Sequence, residues 1–321
     1  MSRGNVLVIG ASGLVGSALV PAFLARGWQV TATLRESGAG AGLEDALEGA
    51  SVAVVRDAGD AAEVRSAIER AQAHLVVNCV STNPRSGEDA TRAYVEGNVV
   101  PVAVMLDTCV RLGVPRAIVF GSGSEYKPEA RPLSERDEIG PRTVYDSTKV
   151  AASVIARRFR QSGEIEVSIA RPFSLYGPRE RLSRFVPYVV TSALAGRAIE
   201  ISSGSQRRDY LYVDDIADGI VRLAEAPAPL PEAVNFSGPV EHSLLDFAVA
   251  AVETVGSSAK VIPNSRPGNS GDRTVFLGDS SLARDALGWV PGHDLRAGLA
   301  KTVEWYRANP RIWESRDSAA S

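Results

Sequence analysis

The sequence predicts an α/β protein in which helices cover both faces of a doubly wound parallel sheet. Short apolar runs alternate with stretches of helical spacing through the first half of the chain, which is the pattern of repeated strand–helix units. The runs are continuously apolar, as strands buried on both faces are. A glycine-rich turn follows the first run. These three observations set the fold class.

Six apolar runs are the predicted strands. They are NVLVIG (5–10), QVTATL (29–34), SVAVVR (51–56), HLVVNCV (74–80), RAIVFGS (116–122) and EVSIARP (166–172). The clearest helical segments between them are 16–27, 60–73 and 99–113.

The rhythm changes after residue 172. LYGPRERLSRFVPYVVTSALAG begins as a loop and continues as a helix, and RRDYLYVDDIADGIVRLAEAP reads as a strand and a helix. A Pro-rich loop follows at 226–234, and the mixed α/β remainder ends in the helix LRAGLAKTVEWYRANP. We predict two regions with a ligand cleft between them: residues 1–172 plus 207–237, and a smaller C-terminal α/β lobe of residues 173–206 plus 238–321.

The composition argues against several classes of partner. The net charge is −3 with both signs interspersed, so a nucleic-acid partner is not expected. The two cysteines, Cys79 and Cys109, and the three histidines are isolated, so we predict no metal and a reduced, cytoplasmic chain. The start of the chain does not resemble a signal peptide. No apolar run approaches the roughly 18 residues of a membrane span, so no membrane is expected.

The glycine-rich turn is VIGASGLVGSALV, with Gly10, Gly13 and Gly16 between the first strand and the following helix. Glycines at this spacing allow a tight turn and let the backbone approach a pyrophosphate, which the helix N-terminus then faces. A glycine triplet alone is a weak signal and also fits a turn without a ligand. At the first strand-to-helix turn of an alternating chain it predicts a Rossmann-type dinucleotide site.

The end of the second strand bears on the choice of dinucleotide. An NAD site usually has Asp or Glu there, to hold the ribose 2′-hydroxyl. Here Leu34 is followed by Arg35, which suits the 2′-phosphate of NADP. Glu36 would supply an acidic residue if the register differed by a residue or two. We therefore predict NADP, with NADPH preferred and NAD as the alternative.

Three polar residues follow the fifth strand. Ser122 lies in VFGSGSEY, and Tyr145 and Lys149 lie in TVYDSTK. Residues four apart on a helix share a face, and a free phenol ionises only at high pH. A nearby ammonium and an oxidised nicotinamide would stabilise the phenolate, and the serine would donate to a substrate oxygen. The pair alone fits a solvated helix face, but together with the glycine turn it predicts catalysis.

At this point the chain resembles the extended short-chain dehydrogenase/reductases of the nucleotide-sugar epimerase, dehydratase and reductase group. The resemblance covers about residues 4–307. It rests on the motifs GASGLVG, RDAGD, VEGNVV, FGSGSEY, PLSERDEIGPRTVYDSTKVAAS, ARPFSLYGPRE, GSQRRDYLYVDDIADGI and GDSSLARDALGWVPGHDLRAGLAKTVEWY.

The resemblance implies the site residues. Ser122, Tyr145 and Lys149 match the catalytic triad, in which tyrosine is the acid/base and lysine binds the nicotinamide ribose. The residues expected to hold the cofactor are Gly10, Ser12, Gly13, Leu14, Val15, Gly16, Arg35, Asp57, Ala58, Cys79, Val80, Ser81, Asn98, Tyr145, Lys149, Pro172, Phe173 and Ser174. Those expected to bind the nucleoside-diphosphate sugar are Ser81, Ser124, Glu125, Ser174, Arg184, Phe185, Val186, Arg208 (at the pyrophosphate) and Arg273.

The same resemblance bears on the reaction. Dehydratases of the group carry an Asp-Glu pair directly after the serine, and here Gly123 and Ser124 stand there, so 4,6-dehydration is not expected. Arg35 and FGSGSEY favour NADPH-dependent 4-ketoreduction of a nucleoside-diphosphate 4-keto-6-deoxyhexose. The alternative is a 4-epimerase with tightly bound NAD. A non-catalytic NADP-binding regulator is disfavoured because all three triad residues are retained.

Two further expectations come from the resemblance. The group usually has arginine where this chain has Asn269, and either Arg266 or Arg273 is a candidate to replace it. Helices VVPVAVMLDTCVRLG and YDSTKVAASVIARRF carry apolar faces that form a four-helix dimer interface in that group, so a homodimer is expected.

Overall fold

The computed structural model describes residues 3–36, 42–82, 89–268 and 273–314. The strands are β1 (Asn5–Ile9), β2 (Gln29–Leu34), β3 (Ser51–Val54), β4 (Leu75–Asn78), β5 (Arg116–Phe120), β6 (Glu166–Pro172), β7 (Ser174–Tyr176), β8 (Ile199–Glu200), β9 (Arg207–Tyr212), β10 (Ala233–Phe236), β11 (Glu241–Ser243), β12 (Val261–Ile262) and β13 (Val275–Phe276). The helices are α1 (Leu14–Ala25), α2 (Glu44–Leu47), α3 (Ala61–Ala71), α4 (Ala90–Asn98), α5 (Val100–Leu112), α6 (Val144–Ser162), α7 (Phe185–Leu194), α8 (Val213–Glu225), α9 (Leu244–Val255), α10 (Ser281–Leu287), α11 (Leu295–Ala308) and α12 (Arg311–Glu314). A 3₁₀ turn, Gly123–Glu125, follows β5.

Seven strands form one parallel sheet in the order β10-β6-β5-β4-β1-β2-β3, which confirms the predicted fold class. All six predicted strands belong to it. The seventh, β10, was missed because its four residues begin inside the predicted Pro-rich loop. The strand order reverses between β1 and β4, and ligands of such sheets bind at the carboxyl ends of the strands at this point.

Both faces of the sheet are buried, which explains the continuously apolar strands. In β1, Val6 and Val8 belong to a core cluster that includes side chains of α1 and α8. Leu7 and Ile9 belong to a second cluster with side chains of α3, α5 and α6. Successive strand residues point to opposite faces, so every position of β1 beyond the first faces apolar neighbours.

The second sheet supports the other side of the site. Strand β9 pairs with β7, β11 and β13, whereas β8 and β12 form a separate two-stranded sheet. The predicted division places β9 with the first region, but β9 pairs in this smaller sheet. Helix α8, directly after it, packs on α1. The division into two regions stays a prediction, and β9 marks where the sheets meet.

One helical run meets the length and composition of a membrane span. Ala90–Leu112, which contains α4 and α5, includes an 18-residue window with a mean hydropathy of 1.2, and 39 % of that window is buried. The expectation that no stretch reaches such a length is wrong for this run. A single run of this kind is weak evidence for a membrane, because core helices of soluble proteins pass the same test. Met105, Leu106 and Cys109 of α5 pack within the second core cluster.

Candidate active site

The glycine turn has the geometry that the sequence predicts. Gly10 adopts a φ of +86°, and its carbonyl accepts a hydrogen bond from the Gly13 amide at 3.2 Å. A Cβ on Gly16 would lie 2.3 Å from the Gly10 carbonyl oxygen, so only glycine fits there. Helix α1 starts after Gly13 without a side-chain cap. Its first amides are therefore free of capping side chains, which is the arrangement that suits a phosphate.

The ends of the neighbouring strands surround this turn. Arg35 and Glu36 follow β2 and are exposed. Asp57 follows β3, and its Oδ1 accepts a hydrogen bond from the Gly59 amide at 2.8 Å. The Val80 amide nitrogen, after β4, lies 3.1 Å from the position that a Cβ on Gly10 would take. The other residues predicted on the turns after β1, β3 and β4 are exposed or half-buried: Ser12, Leu14, Val15, Ala58, Cys79 and Ser81.

Tyr145 and Lys149 meet at the end of β5. Lys149 is buried, with 3 % of its surface exposed, and its Nζ donates to the Phe120 carbonyl at 3.1 Å. The same Nζ lies 5.9 Å from the centre of the Tyr145 ring. Burial raises the pKa of the Cys79 thiol, and the Lys149 charge acts in the opposite direction, which places the thiol in the field of the amine. The structure thus brings the predicted acid/base and its cation together.

Ser122 begins the 3₁₀ turn beside this pair. Its hydroxyl accepts from the Ser124 amide at 3.1 Å and donates to the Ser124 hydroxyl at 2.9 Å. Because helix α6 packs against this turn, the serine lies on the same side of the sheet end as Tyr145. Both serine side chains are only half-buried.

Asn98 has a different role from the one predicted. It is 1 % exposed, its Oδ1 accepts from the Thr82 amide at 2.7 Å, and its Nδ2 donates to Thr148 Oγ1 at 3.1 Å. The Thr148 hydroxyl in turn donates to the Tyr145 carbonyl at 2.8 Å. Because Oδ1 and Nδ2 both have protein partners, the Asn98 side chain links the Thr82 segment to α6.

Sequence reasoning missed Tyr94. Its ring packs edge-to-face against Tyr145, with centroids 6.3 Å apart and an interplanar angle of 61°. Tyr94 lies four residues before Asn98 on α4, so the two share a helix face. That spacing was the available signal.

The structure corrects the prediction that the Glu125 side chain binds substrate. It is fully buried, and its Oε2 pairs with the Arg171 guanidinium at 2.9 Å. Its Oε1 accepts from the Ser122 amide at 2.8 Å. Arg171 also donates to the Tyr126 hydroxyl, which donates to Asn235 Oδ1, both at 2.8 Å. The carboxylate is therefore occupied within a closed network and supports the serine turn from beneath.

Two predicted arginines lie around one aromatic ring. The guanidinium carbons of Arg208 and Arg273 are 6.0 and 5.4 Å from the centre of the Phe276 ring. Arg273 donates to the Ser124 carbonyl at 2.6 Å and lies 3.8 Å from Asp146. This places positive charge directly beside the serine turn.

The remaining predicted residues divide by exposure. Phe173 is buried between Tyr126 and Phe276, and the side chains of Phe185 and Val186 pack with the main core cluster. These three side chains are therefore structural, and any ligand contact there would use backbone. The half-buried or exposed ones are Pro172, Ser174 and Arg184.

The position of the missing family arginine, Asn269, lies outside the described residues, as does Asp272. Of its candidate replacements, Arg266 pairs with Glu200 at 3.3 Å and covers the Tyr188 ring at 4.8 Å. Arg273, by contrast, contacts the serine turn. Within the described ranges, no group of three His, Cys, Asp or Glu side chains is arranged to hold a metal.

Comparison with known proteins shows similarity to one family along most of the chain. The family model described as NAD dependent epimerase/dehydratase family matches residues 6–236. The chain is 31 % identical to UDP-glucose 4-epimerase of Mycolicibacterium smegmatis, over 94 % of this chain and 98 % of the relative. It is 28 % identical to dTDP-glucose 4,6-dehydratase of Streptomyces antibioticus, over 97 % and 94 % of the two chains.

Solved structures show the same similarity. MoeE5 in complex with UDP-glucuronic acid and NAD superposes with a TM-score of 0.84 at 26 % identity, covering 95 % of this chain and 99 % of that chain. The curated relatives differ in reaction at nearly equal identity, so the reaction has to be argued from the site.

Proposed function

This chain belongs to the NAD-dependent epimerase/dehydratase family, and we propose that it interconverts the C4 epimers of a nucleoside-diphosphate sugar. The observation that carries the proposal is the meeting of Tyr145 and Lys149 at the end of β5, beside Ser122, with no free carboxylate on the described serine turn. Such a site is equipped to move one proton at a sugar hydroxyl. It is not equipped to eliminate water.

The glycine turn and Lys149 would hold the dinucleotide, whose nicotinamide, when bound, supplies the hydride acceptor and donor at C4. Tyr145 would take the proton of the C4 hydroxyl during oxidation at C4. It would return that proton to the same oxygen during reduction from the opposite face of the sugar. Ser122 donates a hydrogen bond to this oxygen, and the Lys149 ammonium stabilises the phenolate.

The serine turn argues against dehydration. Elimination needs an acid/base pair next to Ser122, and a Cβ on Gly123 would lie 2.7 Å from the Phe173 ring. A carboxylate side chain therefore does not fit at that position without moving a buried ring. Glu125, the nearest acid, is held by Arg171.

NADPH-dependent 4-ketoreduction, which the sequence analysis favours, is the second candidate. The observation that favours it is Arg35, exposed directly after β2 where a 2′-phosphate would lie. Against it, a neighbouring structure contains NAD rather than NADP, and a UDP-glucose 4-epimerase is one of the two named relatives that match nearly the whole chain.

The cofactor decides between them. In the first experiment, the protein is purified without added nucleotide and denatured, and the released nucleotide is identified. In the second, UDP-glucose and UDP-glucuronic acid are each incubated with the protein, and the sugars are followed by NMR. An epimerase retains NAD and forms the C4 epimer of a sugar without added cofactor. An empty protein that binds NADPH and consumes it with a 4-keto sugar would contradict the epimerase and establish the reductase. The Arg35→Ala variant, which should weaken only NADPH binding, is the matched control.

We also propose a homodimer through a four-helix bundle made by α5 and α6 of each subunit, with α4 beside them. Val95 on α4 and Val154 on α6 are 41 % and 55 % exposed, which leaves apolar surface for a partner. Light scattering should give twice the chain mass, and a monomer at micromolar concentration would contradict the proposal.

A further inference from the structure

Arg273 lies at the reactive end of the proposed site. Its Nη2 donates to the Ser124 carbonyl at 2.6 Å, and Ser124 shares a hydrogen bond with the catalytic serine, Ser122. Its guanidinium is also 3.8 Å from Asp146, the residue directly after Tyr145. Arg273 is thus one residue removed from both the serine and the tyrosine that would hold the C4 oxygen.

The guanidinium carries an unused donor. Nη1 is buried and has no hydrogen-bond partner among the described residues, although only 8 % of Arg273 is exposed. Arginine has donors in a planar fork that matches a carboxylate. A buried donor without a partner is unfavourable, so a ligand that supplied an acceptor would relieve a cost present in the free protein.

The charges around Arg273 favour an anion. Burial lowers the pKa of Arg273, Asp146 opposes this effect, and Arg142 and Arg208 act with burial. Three cations therefore face one carboxylate, and that carboxylate is already occupied by the Arg142 and Thr143 amides at 3.1 Å. The corner keeps an excess of positive charge.

We propose that Arg273 is a specificity residue that binds the C6 carboxylate of a nucleoside-diphosphate hexuronic acid. The inference rests on the proposed function, which places C4 of the sugar between Ser122 and Tyr145. In a hexose, C6 is attached to the carbon next to C4, whereas the pyrophosphate is attached at C1 on the far side of the ring. An anion-binding group beside the reacting carbon is therefore nearer to a C6 carboxylate than to the pyrophosphate. Arg208, expected at the pyrophosphate, lies on the same Phe276 ring, so the affinity for UDP alone has to separate the two anions.

The test measures, by calorimetry, the binding of UDP, UDP-glucose and UDP-glucuronic acid to the protein with its dinucleotide cofactor bound. A hydrogen bond to a charged group corresponds to roughly a tenfold to hundredfold change in affinity. We expect the wild type to bind UDP-glucuronic acid tighter than UDP-glucose by about that factor. Arg273→Gln should remove the preference and leave UDP affinity unchanged. Arg273→Lys should retain part of it, and Arg266→Gln, at the exposed pair with Glu200, should retain all of it.

Three results would overturn the inference. Equal wild-type affinity for the two sugars would do so without any variant, so the test survives if Arg273→Gln unfolds. A loss of UDP affinity in Arg273→Gln equal to the loss for UDP-glucuronic acid would place the arginine at the phosphates. Failure of all three nucleotides to bind would reject the proposed function together with the inference, whereas unselective binding of both sugars would reject the inference alone.

Discussion

Two groups of buried polar residues lie at the end of β5, and they differ in how their charges are satisfied. Beneath the serine turn, Glu125 and Arg171 form a closed network in which each carboxylate oxygen has a partner. Above it, Lys149 has one carbonyl partner and Arg273 keeps a buried donor without one. A buried charge that is fully paired supports the fold, whereas one left under-satisfied is available to a ligand.

The largest expected effect is a loss of activity on substitution of Tyr145, which lies beside Lys149 in the upper group. Tyr145→Phe removes only a hydroxyl from a half-buried ring, so folding should be unchanged. Epimerisation should fall by about a thousandfold, because the acid/base is lost. Steady-state rates and thermal unfolding of the same preparation check this. Tyr94→Phe, which keeps a ring beside Tyr145, is the control and should change the rate less than about twofold; an equal loss in both variants would argue against a specific role for Tyr145.

Disruption of the lower network should act on stability instead. Arg171→Met leaves the Glu125 carboxylate buried without its cation, which costs about 3–5 kcal/mol of unfolding free energy. Urea unfolding measures it. Adding Glu125→Leu to the same chain should recover most of the loss, since the uncompensated charge is then gone. A single variant as stable as the wild type would show that the network is not the structural support inferred here.

Glu180 is a buried carboxylate that is only partly paired, because Arg184 lies near one of its two oxygens. Burial raises its pKa to about 8, opposed by Arg184, and its Oε2 has no partner among the described residues. The folded state therefore keeps this proton where the unfolded state has lost it. Between about pH 5 and pH 8 its contribution makes stability fall as pH rises, by at most about 1.4 kcal/mol per pH unit.

Glu180→Gln should remove that slope. Wild-type and variant unfolding free energies, measured at pH 6 and pH 7.5, should diverge in favour of the variant by about 2 kcal/mol. The exposed Glu253→Gln change is the control, because Glu253 is paired with Arg296 at the surface. A difference that does not vary with pH would mean that Glu180 is ionised in the folded protein.

Local features of the site and its long-range pairs also differ in how well the sequence predicts them. Continuous apolar strands and the glycine spacing are local patterns, so the sheet and the Gly10–Gly16 turn follow from them directly. Tyr145 and Lys149 were found because residues one helical turn apart must meet. The pairing of Glu125 with Arg171 joins residues 46 positions apart, and no local pattern encodes it. The same holds for Arg273 and Ser124, which are 149 positions apart.

The smallest expected effect tests the ring that local reasoning missed. Tyr94 contacts Tyr145 edge-to-face, and such aromatic pairs contribute about 0.5–1.5 kcal/mol beyond burial. Tyr94→Leu keeps an apolar side chain but loses that geometry, so the maximal rate should fall about threefold to tenfold while the KM for the sugar stays constant. If Tyr94 only stabilised α4, unfolding would be affected and the rate per folded molecule would not. A rate that recovers in Tyr94→Phe but not in Tyr94→Leu would assign the effect to the ring that orients the phenol.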